Sequence, residues 1–186
     1  EAREVARLFW QAFHLKLHRL LAPDDHAVDF IASVLNPGFA LVARDGTGRI
    51  LGLAGFKTHS GGLVGGGLRD LARVYGWPGT LWRAPLLALL ERDIEPGTLL
   101  LDGIFVSEVA RGQGIGTHLL HAIKSHAAGM GLSAVRLDVI DTNPRAKALY
   151  LRQAFEPVSE EHLGPLRHIF GFRSATKMIW TAASRP

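Results

Sequence analysis

Apolar side chains at Val5, Ala6, Phe9, Ala12, Phe13, Leu17, Leu20 and Leu21 recur with a helical period and predict a first helix that Pro23 ends. A second, short helix is expected from Asp24 or Asp25, with Val28, Ile31, Ala32 and Leu35 on one face, stopping at Asn36-Pro37-Gly38. The period then changes. Phe39 to Arg44 and Arg49 to Thr58 read as strands of a hairpin joined by Asp45-Gly46-Thr47-Gly48. Residues 60–97 are less regular. Gly61, Gly62, Gly65, Gly66 and Gly67 are followed by no Lys-Ser/Thr and form no Gly-x-Gly-x-x-Gly after a strand, so they read as a mobile hinge. Helices are expected at Leu68 to Tyr75 and Thr80 to Arg92, broken by Trp77-Pro78-Gly79. The apolar Leu81, Trp82, Leu86, Leu87, Leu89 and Leu90 suit either a lid over a pocket or a homodimer face.

From Thr98 the pattern sharpens. Thr98 to Val106 is apolar except for Asp102 and Gly103, as in a buried strand. After the loop Ser107 to Ala110, a helix from about Gly114 to Ala128 turns Ile115, Leu119, Ala122, Ile123 and Ala127 inward, and Gly129 and Gly131 close it. Val135 to Asp141 is the next strand. Asn143-Pro144 supplies an N-cap and a proline at the first helical position for a helix through Gln153. Thr176 to Trp180 reads as a last strand. Strand, helix, strand, helix, strand is the order of an α/β domain with at least one parallel pair. Residues 1–186 are taken as a single domain carrying a helical insertion at about 60–97.

Composition narrows the picture. A chain of 186 residues with 47% hydrophobic side chains can build one core, and zero cysteines exclude disulfides, thiolate metal sites and a cysteine nucleophile. That suits a cytoplasmic enzyme or binding module. Net charge is +4, but residues 1–161 hold 17 basic and 17 acidic side chains, so the excess is Arg167, Arg173, Lys177 and Arg185. Such a sparse excess reads as a solvated face, and nucleic acid is not favoured as partner. The longest uncharged apolar stretch, Phe30 to Ala43, is interrupted by Asn36-Pro37-Gly38 and falls short of the roughly 20 residues that span a bilayer. No membrane partner is expected.

The chemistry concentrates in Arg111-Gly112-Gln113-Gly114-Ile115-Gly116-Thr117, between a strand end and a helix start. Main-chain N–H groups at a helix N-terminus lack intrahelical partners and carry the positive end of the dipole, while glycines let a bulky anion approach. This is a pyrophosphate site. A P-loop fails for want of Lys-Ser/Thr, and glycines at 112, 114 and 116 fit a dinucleotide fingerprint poorly. The pattern Arg/Gln-x-x-Gly-x-Gly/Ala is met by Arg111, Gly114 and Gly116, and here the chain resembles the GNAT superfamily of N-acetyltransferases. Further on, Asn143, Ala146, Tyr150 and Ala154-Phe155 match the family's Asn-x-x-Ala-x-x-x-Tyr and Gly-Phe, with alanine in place of the glycine. The resemblance covers about residues 98–158. The hairpin and the two leading helices also follow the family order. The family's first strand is expected to be missing before Glu1, where the chain begins without Met.

The resemblance implies a mixed, partly parallel twisted sheet with helices on both faces and a splayed central strand pair. It implies acetyl-CoA as cosubstrate, bound between Thr98 to Val106 and Val135 to Asp141, with Gly103 at the bulge that splays them. Main-chain groups of Ile104, Phe105 and Val106 would face the pantetheine. Arg111, Gly112, Gln113, Gly114, Ile115, Gly116 and Thr117 would cradle the pyrophosphate, with Arg111 either adding a side-chain contact or capping a nearby carbonyl. Asn143 and Ala146 would line the cofactor, Asn143 bonding the pantetheine amide, serving as a helix cap, or both. Tyr150 would stand close to the sulfur as acid.

The implied reaction is direct attack of an amine on the thioester, which needs a proton acceptor, an oxyanion donor and help for the leaving thiolate. Val106 N–H is the expected oxyanion donor. Asp102 is the candidate base, sharing a face with Ile104 and Val106 by alternation unless the bulge intervenes; its structural alternative is a carboxylate bonded to a neighbouring strand or loop. Glu108 reads as a solvated loop residue. His14 with His18, and His118 with His121, have helical spacings that can hold a metal, but no carboxylate or third histidine is placed by sequence to complete either, so no metal is expected. The expected partners are acetyl-CoA and a primary amine, small or peptidic. Acceptor pockets fall in Glu1 to Leu35, Ser60 to Gly97 and Ser159 to Arg173, which carry no motif. The alternatives are a non-catalytic acyl-CoA-binding or regulatory module and a nucleic-acid-binding domain.

Overall fold

The computed structural model describes residues 2–182; Glu1 and Arg185 lie outside them. The expected leading helices are α1 (Ala2–Leu21) and α2 (Asp24–Val34); of their periodic residues Ala12 is exposed, while Trp10, Ala27 and Phe30 are added to the core. A hairpin of β1 (Ala40–Arg44) and β2 (Ile50–Thr58) follows. Its turn is fixed by Asp45 Oδ1, which accepts from Thr47 N–H at 2.9 Å, Thr47 Oγ1–H at 2.6 Å and Arg49 N–H at 3.1 Å.

The glycine run departs from the expected hinge. Gly61–Gly62 forms a two-residue strand, β3, that pairs with Lys57 and Thr58. Leu63 N–H donates to Phe56 O, Asn36 N–H to Leu63 O and Gly65 N–H to Val34 O. Those bonds pin the segment between β2 and the end of α2. Gly61 has φ +147, and a Cβ there would lie 2.8 Å from Phe39 Cζ, so the run is glycine-rich for conformation and close packing. Helix α3 (Leu68–Ala88) turns sharply at Gly76 (φ 66, ψ 166), one residue before the expected break. Pro78 then falls in the first turn of the second arm, where its missing N–H costs nothing. The helix ends at Ala88 and not at Arg92, leaving residues 89–97 as a loop.

The remaining elements are β4 (Thr98–Val106), α4 (Ile115–Gly129), β5 (Ala134–Ile140), α5 (Pro144–Arg152), β6 (Glu156–His162), α6 (Arg167–Phe170) and β7 (Ser174–Thr181). Strand β6 has no counterpart in the sequence reading. Its segment Glu-Pro-Val-Ser-Glu-Glu-His is exposed at every position, because it is an edge strand whose pairing with β7 rests on backbone bonds, with no buried face to leave an alternating signal. In α4, Ala122 is exposed and Leu120 takes its place inside.

The sheet has seven strands in the order β1-β2-β4-β5-β7-β6, with β3 beside β2, and β4–β5 is its parallel pair. Alternate strand residues feed two cores. Leu53 and Phe105 pack with α1, α2 and α3, whereas Ala54, Phe56, Leu99 and Leu101 pack with α4 and α5. Helices therefore cover both faces.

Candidate active site

The parallel pairing of β4 with β5 runs from Thr98↔Ala134 to Leu101↔Leu137 and stops there, although both strands continue. The strands part because β4 carries a bulge. Gly55 pairs with Gly103 and Phe56 with Leu101, so the register with β2 skips Asp102, one position before the expected Gly103. The extra residue reverses the alternation: Leu99 and Leu101 share a face with Ile104 and Val106, while Phe105 lies on the other. Simple alternation from Asp102 to Ile104 and Val106 therefore does not hold. Asp102 is exposed and borders the gap.

The gap opens a cleft of about 530 Å³ that reaches both cores, lined by Phe9, Phe13 and Leu17 of α1 on one side and by Asn143, Ala146 and Tyr150 on the other. Backbone pairing decides which main-chain groups of β4 are free. Ser107 N–H donates to Leu51 O at 2.9 Å, which makes Leu51 and Ser107 a hydrogen-bonded pair. In an antiparallel ladder such pairs alternate, so Leu53↔Phe105 is bonded and Gly52↔Val106 and Ala54↔Ile104 are not. Ile104 and Val106 thus turn N–H and C=O to the open edge. Phe105, expected to do the same with its backbone, spends those groups on β2 and offers the cleft its ring.

Beyond that edge the loop 111–117 leads into α4. Gly112 (φ +78) and Gly114 (φ +82) are left-handed, which only glycine adopts without strain, and Gly114 is the N-cap. Gly116 is needed for another reason: a Cβ there would sit 3.2 Å from Leu149 Cδ2, so it lets α4 approach α5. Ile115, Gly116 and Thr117 occupy the first turn, where N–H groups have no intrahelical acceptor. The side chains turn back onto the loop. Arg111 Nε donates to Val106 O at 3.4 Å and Nη1 meets Glu108 Oε1 at 3.4 Å, while Gln113 Nε2 donates to Val109 O at 2.9 Å. Main-chain N–H groups at an exposed helix start, with no Cβ at Gly112 or Gly114, fit a pyrophosphate, although these residues lie outside the cleft lining itself.

Helix α5 brings the second motif to the cleft. Asn143 Oδ1 accepts from Ala146 N–H at 3.2 Å, the cap geometry, and Pro144 follows at the first position. Tyr150 is two turns on and buried, its ring 5.9 Å from that of Phe155. Burial pushes its phenol up to about 12, because the phenolate has no water to solvate it. Ala154 stands where the family has glycine, and it adopts φ +58.

Several cleft residues carry no motif. Glu91 and Arg92 come from the loop after α3, Asp138 from β5 and Lys57 from β2. Arg92 Nε is 3.0 Å from Asp138 Oδ2, and Arg136, buried on β5, reaches Asp138 at 3.2 Å and Glu95 at 3.4 Å. Lys177 bonds Glu95 as well, so this member of the carboxy-terminal excess is half-buried and paired, not part of a solvated face. The bond from Lys177, then the charges of Lys177 and Arg136, hold the Glu95 carboxyl below its ordinary range. Apart from Arg136 with Asp138, these contacts join positions 41 to 82 residues apart, which no local pattern reveals.

His14 and His18 do gain a carboxylate. The turn at Pro23 returns Asp24 to them, with His14 Nε2 3.7 Å from Asp24 Oδ1 and the three donor groups within 4.8 Å of one another. The cluster lies at the surface, outside the cleft lining. His118 and His121 are exposed on α4, and Glu108 is exposed in its loop. Among the described residues no helix is long and apolar enough to cross a membrane.

Comparison with solved structures places the fold. An acetyltransferase of 23% identity aligns over 98% of this chain and 95% of its own, with a TM-score of 0.61. An N-acetyltransferase from Staphylococcus aureus Mu50 is 16% identical over 96% and 94%, with a TM-score of 0.62. An IAA acetyltransferase from Bacillus cereus ATCC 14579 is 18% identical over 91% of each chain, with a TM-score of 0.53. At these identities the likeness is one of fold. No curated protein matches the chain. The acetyltransferase (GNAT) family model matches residues 2–155. That span takes in both helical layers, the splayed strands, the glycine loop and the helix of Tyr150, and on it the chain belongs to the GNAT family of acetyltransferases, enzymes of acyl transfer from acetyl-CoA.

Proposed function

We propose that this chain, acting as a single unit in the cytoplasm where acetyl-CoA is supplied, moves the acetyl group directly to a primary amine. The carrying observation is the open edge of β4, where Ile104 and the N–H of Val106 turn away from β2 beyond the last pairing with β5, on the cleft that the buried phenol of Tyr150 also lines. Acetyl-CoA supplies the activated thioester. Ile104 and Val106 hold its pantetheine arm as an added strand would be held, Asn143 and Ala146 border that arm, and the N–H groups from Gly112 to Thr117 hold the pyrophosphate.

Each remaining need falls to a residue of the chain. An alkyl amine of pKa about 10 is mostly protonated near pH 7, so a proton must leave before attack. Asp102 takes it, directly or through water. The nitrogen bonds to the carbonyl carbon, Val106 N–H meets the negative charge that builds on the carbonyl oxygen, the carbon–sulfur bond breaks, and the amine gives up its second proton. Tyr150 Oη–H donates to the departing sulfur. A phenol near 12 cannot hand its proton outright to a thiolate whose acid has a pKa of about 8.5, so Tyr150 works as a retained hydrogen-bond donor while solvent returns the proton. The donor persists across the working range and is lost only as pH rises through about 12.

The test is release of CoA in the presence of amines, with acetyl-CoA binding measured separately. Tyr150→Phe is expected to keep acetyl-CoA affinity within about twofold while kcat falls about 100-fold, the scale of one acid–base group. Unchanged turnover in Tyr150→Phe would remove Tyr150 from the mechanism.

A further inference from the structure

We infer that the acceptor carries a single amine on an apolar body, an arylalkyl or long alkyl chain, and is neither a polyamine nor an aminosugar. The inference rests on the transferase reading above and concerns only the half of the cleft facing α1. That half is walled by Phe9, Phe13 and Leu17 of α1, by Leu87 at the end of α3 and Leu90 in the loop after it, and by Phe105 of β4. Three of these form an aromatic cluster: ring centroids are 4.5 Å apart for Phe9–Phe13, 5.3 Å for Phe9–Phe105 and 5.4 Å for Phe13–Phe105. Gly103 holds the cluster against the open strand edge. A Cβ at that position would lie 2.9 Å from Phe13 Cζ and 3.2 Å from Phe105 Cζ, so any other residue would push the rings away from the place where the acyl group is transferred.

Charges sit around this wall without interrupting it. Arg92 is engaged by Asp138 at 3.0 Å and by Glu161 at 3.6 Å, and Asp138 is shared with Arg136. Lys57 lies at the far end of β4, paired in register with Leu100. Glu91 and Asp102 also line the cleft, at its rim and not within the apolar wall. A polyamine or aminosugar would have to strip water from several further polar groups against six apolar side chains, which is costly. An aryl or alkyl body gains by the same burial.

The full chain is tested with 2-phenylethylamine, octylamine, spermidine, glucosamine and a lysine-containing peptide, following CoA release, and with calorimetric titration of acetyl-CoA. The expected result is kcat/KM for 2-phenylethylamine or octylamine at least about 10-fold above the other three. Leu90→Asn, in the loop after α3, and Phe13→Ser are expected to lower that kcat/KM at least about 10-fold and leave acetyl-CoA affinity within about twofold. If Phe13→Ser does not fold, Leu90→Asn carries the test alone. Acetyl-CoA binding combined with equal or better turnover of spermidine, glucosamine or the peptide overturns the substrate class and leaves the transferase reading standing. Binding without turnover of either apolar amine overturns it also. Failure to bind acetyl-CoA overturns both.

Discussion

On one face of the sheet, α4 and α5 close over β4 and β5 through features of the backbone: left-handed glycines at 112 and 114, a helix N-terminus, a strand edge left open by a bulge, an Asn cap before a proline. On the other face, α1, α2 and the bent α3 are joined by side chains: the Phe9–Phe13–Phe105 cluster, and Arg83, which donates to Leu20 O at 2.6 Å and Ala22 O at 3.3 Å and stacks 4.3 Å over Tyr75. The cleft joins the two. A cosubstrate that is the same for every member of a family can be held by main-chain geometry, which fixes a few positions to Gly, Asn or Pro. An acceptor that differs is held by side chains, which many residues can supply.

The comparison breaks first at Gly114. Valine there needs φ near +82, where a β-branched residue is strained by more than the 1–2 kcal/mol typical of left-handed L-residues. The loop relieves that strain by turning its N–H groups away from the anion. KM for acetyl-CoA is expected to rise about 100-fold, roughly 2.8 kcal/mol, with the acceptor KM little changed. Equal losses for both substrates in steady-state kinetics would show that the two faces are not separable in this way.

Arg83 tests the other face. Its guanidinium caps the C-terminal carbonyls of α1 and lies between Tyr75 and Trp82, at 4.3 Å and 4.2 Å, so it fastens the second arm of α3 to the helix that walls the acceptor side. Tyr75 Oη–H supports the same joint by donating to Leu21 O at 2.6 Å. Arg83→Met keeps bulk and removes the bonds, at an expected cost of about 2 kcal/mol and a melting temperature lower by about 4–8 °C. Acceptor KM should rise and acetyl-CoA affinity hold. A variant that melts normally would mean that α3 is held by its apolar contacts alone.

The two faces also differ in how far they can be read from sequence. Strand β4 is legible at both ends because it is buried and almost wholly apolar, and the loop before α4 is legible because backbone conformation demands glycine at particular spacings. Tyr150 is legible only through the family resemblance, which ties it to the Asn143 cap. The acceptor side has no such grammar. Phe13, Leu90, Glu91 and Asp138 meet in the cleft from three separate segments, and their residue types would serve equally in any core or surface. The glycines at 61–67 show the converse: composition suggests mobility, yet three backbone bonds and the Phe39 ring hold them. Asp102 shows a third limit, since a one-residue bulge reverses every later side chain and leaves no mark in the apolar pattern.

The smallest effect sharpens the comparison most, because it lies on the backbone-built face at the one motif position where this chain departs from the family pattern. Ala154 follows the C-cap of α5 with φ +58, its N–H donating to Leu151 O and the next N–H, of Phe155, to Tyr150 O at 3.0 Å. This is the left-handed residue that ends a helix, the position where glycine is favoured because a Cβ crowds the backbone. The fold therefore keeps the conformation even though the residue suited to it is absent, and neighbouring contacts, chiefly the buried Phe155 against Tyr150, must hold it there. Ala154→Gly relieves the crowding but gives the unfolded chain more freedom, and the first effect is larger at positive φ. The expected outcome is a gain of about 1 kcal/mol in denaturant unfolding, with kcat unchanged because Tyr150 stays in place. A loss of stability would mean that the Ala154 methyl group contributes packing that outweighs its strain, and that this turn is held by side chains as the acceptor face is.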